Sequence, residues 1–284
     1  FFAGTAPHAD DLVEVTRALP WYWVLLAPAA GGALVGPLVW FFAREAKGHG
    51  VPEVMEAVAL RGGVIRPRVV TVKTLASALS IGSGGSVGRE GPIVQIGSAV
   101  GSVIGQVLRL PPRELRTVVG CGAAAGIAAT FNAPIAGALF AVELILGEFG
   151  AIQFTPIVIA SVVATVISRS ILGDVPAFEV PQYELVSGWE LVPYAFVGVA
   201  AGLAGLLFQQ TLYKTEDLFE RLGVPPWTKA AIGGLLVGGI GVAGFPHVFG
   251  VGYGSITAAM TNELPLLTML VLLLVKIVST SLTV

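Results

Sequence analysis

The chain has 284 residues, of which 55% are hydrophobic and only 12% are charged. Because a soluble domain carries about 25% charged residues, this composition excludes an ordinary soluble fold and indicates an integral membrane protein, as does the mean hydropathy of +0.84. The net charge of −2 gives no support for a nucleic-acid partner, which requires a basic surface.

The chain begins with a polar segment at residues 1–20 and first becomes apolar at residues 21–43. That apolar segment is free of charge and long enough to cross a hydrocarbon core of about 30 Å. Its Gly32 and Gly36 form a GxxxG pair, which permits close helix contact. Further helices are predicted at residues 118–130, 134–144, 149–168, 191–213, 230–249 and 264–284, with a short segment at 251–262.

Charged connections set the predicted orientation of these helices. Residues 44–73, 109–116 and 214–229 carry most of the basic side chains and are predicted to be cytoplasmic by the positive-inside rule. Residues 174–190 carry four acids and no base, which indicates an outside loop. Helices of uneven length, several interrupted by Gly or Pro, are typical of a transporter or channel with a site inside the membrane. We therefore predict an all-α polytopic membrane protein.

Neither end of the sequence resembles a natural terminus. The first residue is not Met, no signal peptide is recognisable, and the apolar sequence LTMLVLLLVKIVSTSLTV runs to the last residue without a loop or tail. We therefore expect an internal piece of a longer chain.

The sequence GSGGSVGREGPIVQIG at residues 82–97 places Arg89 and Glu90 side by side, between two glycines, in a long apolar run. An ionisable residue at membrane depth is costly and is by default a functional hypothesis. Because proline suits the first turn of a helix, one helix is predicted to end near Gly85 and another to begin at Pro92. The loop between them would carry the two charges. The first amides of the second helix would then favour an anion.

An alternative for this loop stays open, namely a re-entrant segment in which Arg89 and Glu90 only neutralise each other. A second glycine-framed turn, GHGVPE at residues 48–53, is predicted to start a helix at Pro52. Two helix starts together would form an anion pathway, because main-chain N–H groups can bind chloride weakly enough to release it. The Glu90 carboxylate could accept the same N–H groups, and it would vacate the site when protonated or displaced.

Three motifs in this order, GHGVPE, GREGPIVQIG and GAAAGIAATFNAPIAGALFAVE, resemble the CLC family of chloride channels and chloride/proton antiporters over the whole chain. The resemblance implies CLC-type broken and tilted helices, and a homodimer in which each subunit holds its own anion pathway. It implies a single transmembrane domain over residues 1–284, with one full inverted repeat at about 1–190 and the start of a second at about 191–284. The family's third anion-site motif and its pore tyrosine are not in this sequence.

By this resemblance, Glu90 matches the family's gating glutamate and is the candidate proton carrier. The anion-binding residues that the resemblance implies are Gly48, His49, Gly50, Val51, Pro52, Gly88, Arg89 and Gly91. His49 departs from the family, which usually has a serine whose hydroxyl contacts the anion. A histidine could donate an N–H group to the anion or turn its ring away, so fluoride and nitrate stay open beside chloride.

A second departure concerns proton coupling. Family antiporters commonly have an inner proton-transfer glutamate directly after the residue that matches Glu143, but here the next residue is Leu144. Leucine cannot carry a proton. Either protons pass by Glu143, Glu148 or water, or coupling is absent and the protein is a passive chloride channel.

Other classes of protein find less support. A cation channel would have acids at mid-span, and an intramembrane enzyme would need a nucleophile with its base or a metal set. His49 and Glu53 lack a third metal ligand, which argues against a metal site. We therefore predict no enzyme, no metal site and no cofactor. Lys73 and Lys276 are interpreted as cations that snorkel to the membrane surface. The predicted setting is a lipid bilayer, as a multi-pass protein of a prokaryotic plasma membrane.

Overall fold

The computed structural model describes residues 9–147, 150–174 and 187–284, and every α-helix, 3₁₀ turn and π-helix in them agrees with the all-α prediction. The α-helices are α1 (Ala9–Ala18), α2 (Trp21–Phe42), α3 (Val51–Leu60), α4 (Arg68–Gly82), α5 (Glu90–Val107), α6 (Pro112–Phe131), α7 (Pro134–Phe140), α8 (Ala151–Leu172), α9 (Leu191–Arg221), α10 (Pro226–Val242), α11 (Tyr253–Met260) and α12 (Leu266–Thr283).

Helix length varies as the sequence predicts for broken membrane helices. Within the described residues, four segments are long and apolar enough to cross a membrane: Trp21–Phe42, Ile152–Leu172, Gly188–Arg221 and Leu266–Thr283. By contrast, α3 has 10 residues and α11 has 8. At about 1.5 Å per residue, α3 covers only about half of the hydrocarbon core. One end of this helix must therefore lie inside the membrane-embedded protein, or the helix must lie at the surface of that protein.

Several predicted helix boundaries are wrong, among them those of α10, which spans Pro226–Val242 and not residues 230–249. Helix α6 begins at Pro112 and not at residue 118, because Pro112 takes the first helical position and Glu114 lies in the first turn, where the dipole favours an acid. Helix α9 continues to Arg221, so the first part of the predicted basic connection at 214–229 is helical. Charged residues mark the end of an apolar run, but they do not end a helix.

One compact unit, called the motif unit below, contains the described residues of Pro37–Leu79 and Gly88–Ala177. At its centre α5 packs on α6, where Gly97 and Gly122 lie so close that a Cβ on either would collide with the carbonyl oxygen of the other. Small residues permit such backbone contact between membrane helices. The fully buried core side chains around this contact include Val94, Val119, Val142 and Ile157.

The other compact unit, called the terminal unit below, contains the described residues of Phe1–Gly36, Ser80–Val87 and Phe178–Val284. The predicted close contact of the GxxxG pair is confirmed here, since a Cβ at Gly32 or Gly36 would collide with a backbone carbonyl of α10. The units are discontinuous in sequence, so they do not test the predicted single domain or the predicted repeat boundary near residue 190, which stay predictions.

Lys276 in the terminal unit does not snorkel, contrary to its interpretation from the sequence. Its Nζ donates hydrogen bonds to Val248 O at 2.8 Å and to Gly250 O at 3.0 Å. Directly after this segment Gly252, with φ of 89°, caps the start of α11. The lysine therefore fixes the chain that leads into a short helix, and a cation engaged by two carbonyl groups has no need to reach the membrane surface.

Candidate functional site

The GHGVPE turn leads into a helix start, as predicted. Gly48 and Gly50 adopt φ angles of 79° and 94°, in the region that favours glycine. Helix α3 follows at Val51, with Pro52 in its first turn, where a missing N–H costs nothing. The first helical bond runs from Val54 N to Gly50 O at 3.3 Å, so the earlier amides have no acceptor within the helix.

Lys73 in α4 fixes this turn, which corrects its interpretation as a snorkelling cation. The residue is only 4% exposed, and its Nζ donates hydrogen bonds to Ala46 O at 3.0 Å and to Gly48 O at 2.7 Å. A buried ammonium group requires such partners. Lys73 thereby binds two carbonyl oxygens that would otherwise repel an anion.

Glu53 in the first turn of α3 folds back toward the same turn. A Cβ built at Gly48 would lie 3.2 Å from Glu53 Oε1, and Glu53 Oε2 is buried without a hydrogen-bond partner. A carboxylate is stabilised by the dipole at a helix N-terminus. The start of α3 therefore carries an acid of its own, as the start of α5 does.

Helix α5 begins at Glu90, with Arg89 as its N-cap, and not at Pro92 as predicted. The first helical bond runs from Ile93 N to Arg89 O at 3.0 Å, so Pro92 occupies the third helical position. The N–H groups of the first three positions have no intrahelical acceptor, and proline therefore loses no hydrogen bond there. Glu90 thus belongs to the first turn of the helix and not to a loop before it.

The Glu90 carboxylate turns back over Gly88. A Cβ at residue 88 would collide with Glu90 Oε2, so the carboxylate fills the place that a side chain at Gly88 would take. Arg89 and Glu90 are both half-buried. The glycine before the acid is thus what permits this position of the carboxylate.

The GHGVPE turn and the GREGP turn, residues 88–92, are in backbone contact within the motif unit. A Cβ at Gly91 would collide with His49 O, and a Cβ at Gly50 would lie 3.0 Å from Gly91 O. The side chain of His49 is exposed, while its carbonyl faces α5. The structure therefore brings into contact the two turns that carry the residues predicted for the anion site and the gate.

A family model described as voltage gated chloride channel matches residues 31–284. The chain belongs to this family, CLC. This membership confirms the resemblance that the motifs indicated, and it makes the chain part of a polytopic membrane protein of the CLC fold.

Known proteins similar to this CLC chain include a ClcB-like protein of Ralstonia nicotianae, which is 38% identical over 87% of this chain and 58% of the relative. The H⁺/Cl⁻ exchange transporter ClcA of Cronobacter sakazakii is 32% identical over 97% of this chain and 61% of its own length. The crystal structure of a slow cyanobacterial Cl⁻/H⁺ antiporter has a TM-score of 0.81 and 25% identity, and the match covers 96% of this chain and 66% of that one. The chain thus spans about three fifths of the curated relatives' length.

The FNAP sequence of this CLC chain also folds as predicted. Asn132, with φ of 57°, ends α6, and α7 begins at Pro134. The chain then passes directly from α7 into a π-helix at Ala141–Leu146, for which the sequence gives no signal. Such π-turns occur frequently at functional sites.

Of the two acids predicted for an inner proton route, Glu143 lies on this π-helix. Glu143 and Leu144 are both exposed, Leu144 by 45%, while Glu148 lies outside the described residues. No group of three His, Cys, Asp or Glu side chains within the described part of the chain is placed to hold a metal ion. The acid nearest to the usual inner glutamate position is therefore Glu143, one residue earlier.

Sequence reasoning misinterpreted Lys73, which supports the GHGVPE turn, and missed Gln95. Gln95 lies in the apolar sequence PIVQIGSAV of α5, and its Nε2 donates a hydrogen bond to Glu45 O at 2.7 Å. The signal was present, because a polar residue at intramembrane depth is expected to have a partner or a function.

Proposed function

We propose that the protein transports chloride across a membrane and that Glu90 gates its pathway. The observation that carries this proposal is the backbone contact between the start of α3 and the start of α5. Glu90 belongs to the first turn of α5, and its carboxylate lies over Gly88. Membership in the CLC family supports it.

The amides of the two helix starts would bind the anion. Each helix N-terminus carries roughly half a positive charge, worth about 0.3–1 kcal/mol when exposed and up to about 2 kcal/mol when partly buried. Two such starts contribute at most about 4 kcal/mol, which corresponds to a dissociation constant of about 1 mM. Such weak binding suits transport, because the ion must also leave.

The Glu90 carboxylate competes with chloride for this site. As an anion it can accept the same N–H groups and exclude the halide. When protonated or displaced, it leaves them to chloride. The carboxylate lies over Gly88 and is half-buried, so it can reach both the site and water.

Exchange of chloride for protons is a second candidate function. The H⁺/Cl⁻ exchange transporter and the Cl⁻/H⁺ antiporter among the similar proteins favour it, while Leu144 at the inner glutamate position favours a passive channel. His49 in place of the family's serine keeps fluoride and nitrate as alternative anions. In either case we propose a homodimer in a prokaryotic plasma membrane, without a cofactor, in keeping with the bacterial relatives.

The test is chloride flux from liposomes that contain the full-length protein, with valinomycin to carry the compensating potassium. We expect the wild type to release chloride with a rate that depends on pH. Glu90→Gln, which resembles the protonated acid, should release chloride at a rate independent of pH and should move no protons. Glu114→Gln, at an exposed acid of α6, is the control and should behave as the wild type.

Two results would contradict the proposal. One is uphill proton movement on a chloride gradient by Glu90→Gln, which would exclude Glu90 as the gate and proton carrier. The other is potassium-selective flux without an ionophore, which would exclude an anion pathway.

A further inference from the structure

Gln95 is the most deeply buried large polar side chain near the two helix starts. It lies on α5, five residues after Glu90, and is only 1% exposed. A buried amide is costly unless its donor and acceptor are both satisfied. Apolar packing alone therefore does not explain why residue 95 is a glutamine.

The amide group of Gln95 connects α5 to the segment that leads into the GHGVPE turn. Its Nε2 donates a hydrogen bond to Glu45 O at 2.7 Å, in the 3₁₀ turn Arg44–Ala46 just before the motif. The other face of the side chain lies against Gly50. A Cβ built at Gly50 would be 2.9 Å from Gln95 Oε1 and 3.0 Å from Gln95 Cβ.

Gln95 thus contacts Glu45, before the turn, and Gly50, within it, at two points five residues apart. The bond to Glu45 O draws the turn toward α5, while the contact with Gly50 limits how closely it can approach. The backbone contact of Gly91 with His49 O lies beside them. The Gln95 side chain therefore contacts both the segment before α3 and Gly50, the N-cap of α3.

The side-chain oxygen of Gln95 indicates that this residue does not serve stability alone. Gln95 Oε1 is buried and has no hydrogen-bond partner. An unsatisfied buried acceptor lowers stability, whereas an apolar side chain of the same shape would avoid this cost. Unsatisfied groups of this kind in native structures call for an explanation, which can be a functional one.

We propose that Gln95 is a positioning residue that fixes the distance between the two helix starts and so determines which anions the site prefers. The inference rests on the proposed function, because the anion is taken to bind the amides of both starts. Since packed segments respond to a change of one methylene, a shorter side chain brings the starts together, and loss of the hydrogen bond lets them separate.

Two variants of the full-length protein test this idea with opposite expected shifts. Gln95→Asn keeps the donor but is one methylene shorter, so we expect the fluoride/chloride flux ratio to rise and the nitrate/chloride ratio to fall. Gln95→Met keeps the length but loses the donor, so we expect the nitrate/chloride ratio to rise. Each shift should be about twofold to tenfold, the range that corresponds to one hydrogen bond.

Gln106→Met is the matched control. Gln106 lies on the same helix and its Nε2 also donates to a backbone carbonyl, Ile65 O at 2.9 Å, but it lies 11 residues further along α5. We expect this variant to keep the wild-type anion ratios, although it too loses a hydrogen bond to a backbone carbonyl.

The outcomes separate this inference from the proposed function. Wild-type anion ratios in both Gln95 variants, with flux intact, would overturn the inference alone, as would equal shifts in Gln106→Met. If Gln95→Met does not fold, the direction of the shift in Gln95→Asn decides. A wild-type protein without Glu90-dependent chloride flux would overturn the proposed function, and the inference with it.

Discussion

Glycines at the two helix starts leave room for acids. The carboxylate of Glu90 occupies the space that a side chain at Gly88 would take, and Gly48 lies beside the carboxylate of Glu53. At Gly91, in contrast, the space is taken by the backbone carbonyl of His49. The three glycines look alike in the sequence, but different atoms occupy the space next to each of them. The effect of adding a methyl group must therefore differ between the three positions.

Alanine at residues 88 and 91 should therefore have different consequences. In Gly88→Ala the obstacle is the end of a flexible side chain, so we expect little loss of stability but a displaced Glu90 carboxylate and an altered pH dependence of chloride flux. In Gly91→Ala the obstacle is backbone, so we expect a loss of about 1–3 kcal/mol. Thermal denaturation in detergent and flux against pH distinguish them. Equal loss of stability in both variants would contradict this reading of the two contacts.

His49 should influence anion preference through its exposed ring. We expect His49→Ser to change the nitrate/chloride and fluoride/chloride flux ratios, because it replaces a bulky N–H donor at the turn with a hydroxyl. His247→Ser is the control, since His247 is bonded to Ser255 Oγ at 3.3 Å in the terminal unit. Unchanged ratios in His49→Ser would show that the ring does not face the ion and that only the backbone of the turn takes part.

At the scale of elements, two short helices begin in the same way. Before α3 a lysine from α4 binds two carbonyl groups of the incoming chain, and before α11 a lysine from α12 does so. In each case a glycine with positive φ follows. A helix start that leaves its amides free has no hydrogen bonds of its own to hold it, so an outside cation fixes the segment before it.

Lys73→Met should accordingly loosen the GHGVPE turn. The variant leaves the carbonyls of Ala46 and Gly48 without this donor, and we expect a loss of about 1–3 kcal/mol. The midpoint of thermal denaturation in detergent measures it, and Lys276→Met should show a similar decrease for the same reason. Lys214→Met, at an exposed lysine of α9, should change nothing. A Lys73→Met protein as stable as the wild type would refute the role of this contact.

Glycine and proline predicted where several helices begin, but not how far each extends. Pro52 and Pro134 mark the starts of α3 and α7 as predicted. The start of α5 predicted from Pro92 is two residues too late, because proline loses no hydrogen bond at any of the first three helical positions. The π-helix at Ala141–Leu146 could not be predicted, since it depends on one extra residue being accommodated by its neighbours and not on a local preference.

At the scale of the whole molecule, composition predicts the class of protein but not which residues are inside it. In a membrane protein, lipid-facing and core residues are both apolar, so hydropathy does not separate them. Lys73 and Gln95 were consequently misread or overlooked, although both are almost completely buried. The two turns of the proposed anion site were predictable because their motifs are local, whereas the contacts that hold these turns come from residues 25 or more positions away.

In the chloride/proton exchange that we propose as a second function, coupling would be a property of the whole molecule, because a proton would have to pass from Glu90 to the opposite surface. Leu144 stands where the resemblance to family antiporters implies a proton-transfer glutamate, and it is exposed on the π-helix beside Glu143. We expect Leu144→Glu to increase the shift of the reversal potential with a pH gradient, relative to the wild type, because the new carboxyl can take up and release protons. The measurement is made in liposomes under a fixed chloride gradient.

Leu144→Gln is the control for this change, since it introduces a polar side chain of the same size that does not ionise. It should leave the response of the reversal potential to pH as in the wild type. An equal increase in Leu144→Gln would show that polarity or water entry, and not proton transfer, is responsible. No increase in Leu144→Glu would mean that protons either take the path through Glu143 already or have no path at all. The wild-type response to the same pH gradient separates these two cases, because only a protein with a path departs from the chloride equilibrium potential.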